Sequence, residues 1–250
     1  MISRRDFYDL FGVFDSERII KISSGNHTNQ WFRNQQYMKT NDWLATAQRL
    51  QALAQTGLEY TTNPFDIERY EEMRAISVRM VQALAAEPLA LDKITNLFAG
   101  ETGYQTPKVD VRVVLFRGTQ EVLMVQEKMD GNRWTLPGGW ADVGLTPFEV
   151  AEKEAVEETG LQVRAVRLLA LFDKKVHPHP PQPWYIYKCF VLCEIVGGEL
   201  LATTTETSGV RWVQETEIPD LALSVDRNTA SQLATLFEFA RQPDKPTLCD

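Results

Sequence analysis

Glu154, Glu157 and Glu158 stand at i, i+3 and i+4, a spacing that places three carboxylates on one face of a helix. Like charges so placed destabilise an isolated helix by about 0.2–0.5 kcal/mol per pair, and a bound divalent cation would offset that repulsion. An oxygen-only ligand set favours Mg2+ or Mn2+. A solvated acidic helix face is the plain alternative. The preceding residues argue against it. Pro137-Gly138-Gly139 makes a loop whose backbone can approach a ligand closely, because glycine carries no side chain. Thr146 suits an N-cap, Pro147 the first helical position, and Glu149 can close a capping box, so the helix is expected to start at about residue 147. Gly160 ends it.

The same run resembles the signature of the Nudix hydrolase family, which reads Gly, five residues, Glu, seven residues, Arg-Glu-apolar-x-Glu-Glu-x-Gly-apolar. Gly139, Glu154, Ala155, Glu157, Glu158, Gly160 and Leu161 fall on it. Two positions depart. Lys153 stands in place of the arginine, keeping the charge and losing the bidentate fork. Leu145 stands in place of the first glutamate, which removes one carboxylate and leaves the number of bound metals open. A narrower resemblance covers Arg49 to Tyr60, Asn63 to Asp66 and Arg69 to Met73, and then Pro107 to Arg112, Asp173 to His177, Tyr187-Lys188 and Glu206 to Ser208. These stretches look like Nudix hydrolases that act on X-linked nucleoside diphosphates, including their helical N-terminal domain. The resemblance implies an α/β/α sandwich with a mixed sheet, preceded by a small all-α domain. It also implies cleavage of a nucleoside diphosphate-X, such as CDP-choline, ADP-ribose or a UDP-sugar, to nucleoside monophosphate and phospho-X.

Within that reading Glu154 and Glu158 are the expected main metal ligands, Glu157 completes the set directly or through water, and the Gly139 carbonyl adds a further oxygen. Glu206, on a polar loop before a strand, is expected either to order the attacking water, to bind a second metal, or only to anchor its loop. Lys174 and His177 belong to a proline-stiffened loop, from Asp173 to Pro181, suited to a phosphate or a sugar edge or else simply solvated. Arg112 alternates with apolar residues and so points to the other strand face, to meet an anion or water. Trp134 and Trp184 could each stack a base or fill the core.

The remaining residues must build the frame. A chain of 250 residues, 44% hydrophobic, can bury a sizeable core in one large or two unequal domains. Leu44, Ala47, Leu50, Leu53 and Ala54 recur at helical spacing and stop at Gly57. Asn63-Pro64 starts a second helix carrying Met73, Ile76, Met80 and Leu84, and a short third is expected over 90–98. From residue 109 the period becomes that of strands, expected over 109–115, 122–125, 134–136, 163–172, 184–195 and 210–213, with Arg117 to Gln120 as a hairpin turn. A last helix is expected over 227–241, capped by Asp226. The divisions are therefore an extension over 1–37 with little fixed structure, a helical and dimer-forming domain over 38–103, and the hydrolase domain over 104–250.

Charge and cysteines narrow the partners. The net charge of −8, and a balance of four Lys or Arg against seven Asp or Glu (−3) between Asp42 and Glu87, disfavour nucleic acid. No apolar run reaches membrane-spanning length, no secretory signal is read, and a cytoplasmic protein is expected. Cys189, Cys193 and Cys249 make no zinc pattern; the first two are expected on the same side of one strand as buried hydrophobes. Two further function classes stay open. One is a Nudix domain that has lost catalysis and senses a nucleotide, which Leu145 supports; the other is an RNA- or DNA-directed Nudix protein.

Overall fold

The computed structural model describes residues 40–84, 95, 99–180, 182 and 184–250. The expected extension over 1–37 lies outside the described residues, as does the short third helix apart from Thr95. Contacts divide the chain into two compact units.

The helical unit contains α1 (Thr40–Tyr60) and α2 (Pro64–Leu84). Leu44 and Ala47 from the first and Val78, Val81 and Leu84 from the second share one buried cluster. The expected stop at Gly57 is a correction, since α1 continues to Tyr60. Gly57 has another use: a Cβ there would overlap the Tyr70 ring, so it lets the two helices approach. Asn63 Oδ1 accepts from the Phe65 N–H at 2.9 Å and caps α2.

In the second unit, β1 (Lys108–Val114) is an interior strand of a five-stranded mixed sheet. It pairs antiparallel with β5 (Gly138–Trp140) and parallel with β7 (Ile186–Gly198); β7 pairs antiparallel with β6 (Leu161–Asp173), which carries β9 (Leu248–Cys249) on its other edge. At Leu115 the chain leaves this sheet and β2 (Phe116–Arg117) turns into β3 (Glu121–Glu127), the expected hairpin. With β4 (Arg133–Thr135) and β8 (Thr207–Gln214) these strands form a second, antiparallel sheet. β2, β5 and β9 fall in runs where strand periodicity is too short to read.

Two cores flank the strands. Val150, Ala151 and Ala155 of α3 (Pro147–Thr159) pack on Val111, Val113, Leu115, Leu123, Cys189, Val191 and Cys193. Leu233, Leu236 and Phe237 of α4 (Ala230–Arg241) pack on Val114, Met124, Leu169, Phe190 and Val213. Both cysteines are thus the buried hydrophobes expected of them, and burial pushes the Cys193 thiol up to about 12. The start of α4 is a second correction. Thr229, not Asp226, is its cap, and Thr229 closes a capping box with Gln232. No helix among the described residues is long and apolar enough to cross a membrane.

Candidate active site

The carboxylate helix is built as its sequence requires. Thr146 accepts from the Glu149 N–H at 3.2 Å, Glu149 Oε2 accepts from the Thr146 N–H at 2.7 Å, and Gly160 closes the helix in the left-handed region at φ 79°. The three glutamates, however, separate. A residue advances by about 100° around the helix, so Glu154 and Glu158 lie about 40° apart and Glu157 about 100° from Glu158. Glu154 and Glu158 fall in the stripe that buries Ala151 and Ala155 and are 5% and 2% exposed. Glu157 stays exposed and pairs with Lys153 at 3.1 Å. Lys153 also lies 3.3 Å from Asp142 and 3.8 Å from Glu154. Among the described residues, no three Asp, Glu, His or Cys side chains stand close enough as placed to share one ion.

The glycine loop closes on the buried pair. The Gly138 N–H donates to Glu158 Oε2 at 2.9 Å, and a Cβ on Gly139 would lie 2.8 Å from Glu154 Oε1. Gly138 and Gly139 stand opposite Arg112 and Val111 in the β1–β5 ladder. Burial pushes the Glu158 carboxyl up to about 8 against the pull of Arg112 and the Gly138 N–H, and burial raises Glu154 as well. Two buried carboxylates of raised pKa, beside a backbone that approaches without side chains, form a hard-oxygen donor set that fits a divalent cation.

Other charges converge on this pair. Arg112 acts on both carboxylates, Glu206 on Glu154, and Glu127 on Glu158. Backbone ties bring Glu206 there. The Lys128 N–H donates to the Glu206 carbonyl at 3.0 Å, and Thr207 Oγ1 donates to the Glu158 carbonyl at 3.0 Å, joining the loop before β8 to the end of α3. Glu127, buried at the end of β3, pairs with Arg227 at 3.2 Å. It was missed in the sequence because a lone acid ending an apolar strand has no distinguishing spacing.

Arg112 does not meet water. It is 4% exposed, donates to both oxygens of Asp110, at 2.5 and 3.0 Å, and reaches the Leu136 carbonyl at 3.3 Å. Lys188, opposite Asp110 in the parallel β1–β7 register, bonds the same carboxylate. Burial pushes the Asp110 carboxyl up, but Arg112 and Lys188 outweigh it and hold it well below the usual range. Burial brings the Lys188 ammonium down to about 8.

Lys174, expected on a solvated loop, is 6% exposed and lies 3.5 Å from Asp226; burial brings its ammonium down to about 7. His177 Nε2 is 2.9 Å from Asp250 Oδ2, and its ring packs 4.4 Å from that of Phe172. Trp134 is half-buried against the core around α4, with the Arg211 guanidinium 4.9 Å from its ring centroid. Trp184 is buried, precedes β7 rather than opening it, and groups with the helical unit. The arrangement as a whole gathers buried anions and cations around a glycine loop, a setting for metal-assisted chemistry on a charged substrate.

Known proteins share this plan. Residues 106–234 match the NUDIX domain model, and residues 41–98 match a UDP-X-like, N-terminal oligomerisation domain. A Bacillus subtilis (strain 168) protein provisionally named ADP-ribose pyrophosphatase YjhB is 44% identical over 208 residues, 83% of this chain and 97% of that one. A crystal structure of a UDP-X diphosphatase superposes with a TM-score of 0.53 at 29% identity, covering 85% of this chain and all of the other. That of an ADP-ribose pyrophosphatase from Streptococcus suis 89-1591 does so with 0.51 at 36% identity, over 58% of this chain and all of the other. With the signature glycine and glutamates folded around one loop and both domain models matched in order, the chain belongs to the Nudix family of hydrolases, as a pyrophosphatase.

Proposed function

We propose that this Nudix pyrophosphatase hydrolyses the diphosphate bridge of a nucleoside diphosphate-X, of ADP-ribose, UDP-sugar or CDP-choline type, to nucleoside monophosphate and phospho-X. The observation that carries the reading is the buried pair Glu154 and Glu158 closed over by Gly138 and Gly139. The names of the relatives, one an ADP-ribose pyrophosphatase and one a UDP-X diphosphatase, support the substrate class. In this reading Glu154, Glu158 and the Gly139 carbonyl hold Mg2+ or Mn2+, with Glu157 completing the set directly or through water. The bound cation supplies charge screening between an acidic protein and an acidic diphosphate. Water attacks one phosphorus, the bridging P–O bond breaks, and Glu206 orders that water and takes its proton.

The substrate contacts follow the burial of their residues. Arg112, held by Asp110 and the Leu136 carbonyl, balances the charge of Glu154 and Glu158. Lys174 and His177 present a loop to the substrate, and Trp134 is the aromatic contact for its base. The helical domain forms a homodimer, in keeping with the oligomerisation domain it matches. The protein works in the cytoplasm on small-molecule nucleotides.

The test is product analysis on CDP-choline, ADP-ribose, UDP-sugars, nucleoside triphosphates and dinucleoside polyphosphates with Mg2+ or Mn2+, wild type beside Glu158→Gln. One preferred nucleoside diphosphate-X, cleaved to monophosphate and lost in the variant, is the expected result. Turnover that survives Glu158→Gln would remove the assignment of the site.

A further inference from the structure

The turn between β3 and β4 grips the loop that carries Glu206. Lys128 binds that loop twice, since its N–H donates to the Glu206 carbonyl at 3.0 Å and its ammonium donates to the Thr204 carbonyl. The third tie comes from Asn132, whose Oδ1 accepts from the Ser208 hydroxyl at 2.6 Å. Asn132 sits in the left-handed region at φ 60°, the only non-glycine residue there among the described residues. Asparagine tolerates that region better than most side chains, and the Asn132 N–H donates to the Glu127 carbonyl at 2.9 Å, which closes the turn.

Ser208 is not an ordinary strand residue. In the β3–β8 ladder the register steps from Gln126 opposite Gly209 to Glu127 opposite Thr207, so Ser208 is one extra residue on β8, a β-bulge. The consequence is a change of phase. Val213 packs in the core under α4, whereas Val210 and Trp212 pack against the core under α3. Strict alternation from Val210 would aim Ser208 at α3 and Thr207 away from it. Thr207 is instead fully buried, with its hydroxyl donating to the Glu158 carbonyl at 3.0 Å near the end of α3. Thr207 and Val210, three residues apart, face the same helix because the bulge lies between them.

A bulged residue is left out of the ladder, so the Ser208–Asn132 hydrogen bond fixes it in place of a ladder bond. We propose that Asn132 is a positioning residue: through Ser208 it pins the bulge that turns Thr207 onto α3 and thereby keeps the Glu206 loop against the carboxylate helix. The inference rests on the hydrolase reading above, in which Glu206 orders the attacking water.

Three variants test it. Asn132→Gly keeps the left-handed backbone and removes only the side-chain acceptor, Asn132→Asp keeps the acceptor, and Ser208→Ala removes the donor. Hydrogen exchange of the amides over 204–208 is read first, because it does not depend on turnover. Asn132→Gly and Ser208→Ala are each expected to speed it about three- to tenfold, and Asn132→Asp to leave it near wild type. With Mn2+ and whichever of the nucleotides named above wild type cleaves fastest, kcat of Asn132→Gly is expected to fall about tenfold with KM held within a factor of about two. Asn132→Asp should recover most of that loss. In the Glu206→Gln background Asn132→Gly should cost nothing further. Unchanged exchange would overturn the pin. A kcat that does not move, or that falls as far in the Glu206→Gln background as without it, overturns the positioning role and leaves the hydrolase reading intact. Wild type without turnover on any of those nucleotides, but with exchange that still answers to Asn132, sinks the hydrolase reading and leaves the pin.

Discussion

The backbone N–H of Gly138 donates to Glu158 Oε2 across 2.9 Å, while the neighbouring Gly139 faces Glu154 Oε1 so closely that a Cβ would stand 2.8 Å from it. The two glycines therefore answer to different constraints. Gly138 has φ +140° and lies where a Cβ would overlap the Val111 carbonyl, a backbone group that cannot move without shifting β1. Gly139 meets only the end of a side chain. Gly138→Ala is expected to lower folding stability by at least about 1–3 kcal/mol, read by denaturant unfolding. Gly139→Ala should fold nearly as wild type but displace Glu154 and weaken Mn2+ binding about tenfold or more, read by titration calorimetry. Equal stability losses in the two variants would show that the carboxylate does not yield.

Asp110 lies between Arg112 and Lys188, an anion shared by two buried cations. Removing the anion takes from Lys188 its ion-pair partner and from Arg112 its nearest one, whereas removing Lys188 leaves a neutral Asp110–Arg112 pair. Burial has also weakened the charge of Lys188, with its ammonium brought down to about 8. Asp110→Asn should accordingly cost about 3–5 kcal/mol and Lys188→Met no more than about 1–2 kcal/mol. Chemical denaturation of both variants checks the order, and a reversed order would mean that Lys188 rather than Asp110 anchors the cluster.

The helix that carries Glu154 and Glu158 was legible because its signals are local. Thr146, Pro147, Glu149 and Gly160 cap one segment, and every capping bond they promise is made. Gly57 and Asp226 misled for a related reason: each is a good terminator or cap by type, yet Gly57 makes room for Tyr70 and Asp226 pairs with Lys174. Those uses depend on residues 13 and 52 positions away, which a local pattern cannot see. The site divides in the same manner. Glu154 and Glu158 declare themselves by spacing, but which face of α3 is buried depends on the sheet, so Glu157 could not be told apart from them. Asp110 and Lys188 meet through a parallel register that no short-range pattern encodes, and on a central strand the polar-looking face is as buried as the apolar one.

Glu158 also makes stability depend on pH. Its carboxyl titrates near 8 in the folded protein and near the ordinary 4.5 when unfolded. Between those values the folded state holds the extra proton, so stability is full below about pH 4.5 and falls as pH rises toward 8. The expected loss is a few kcal/mol in metal-free protein. Glu158→Gln should flatten that slope. A divalent cation needs the ionised carboxylate, so the stabilisation given by Mn2+ should grow over the same interval. Thermal unfolding from pH 5 to 8, with and without Mn2+, reads both effects, and a metal-free slope identical in wild type and variant would assign the titration elsewhere.

Glu206 offers the sharpest kinetic test, because backbone bonds secure its loop. Its carbonyl accepts from the Lys128 N–H at 3.0 Å and its N–H donates to Thr204 Oγ1 at 3.2 Å, while Thr207 Oγ1 ties the adjacent residue to the Glu158 carbonyl. These bonds survive Glu206→Gln, so the variant should fold normally and keep its KM within a factor of about two. If the carboxylate takes the proton of the attacking water, kcat should fall by about 10²–10⁴. If it held a second metal instead, raising the Mn2+ concentration would restore part of kcat. Unchanged turnover would reduce Glu206 to an anchor of its loop, and proton abstraction would then fall to another group, with Glu127 a buried carboxylate that, like Glu154, acts on Glu158.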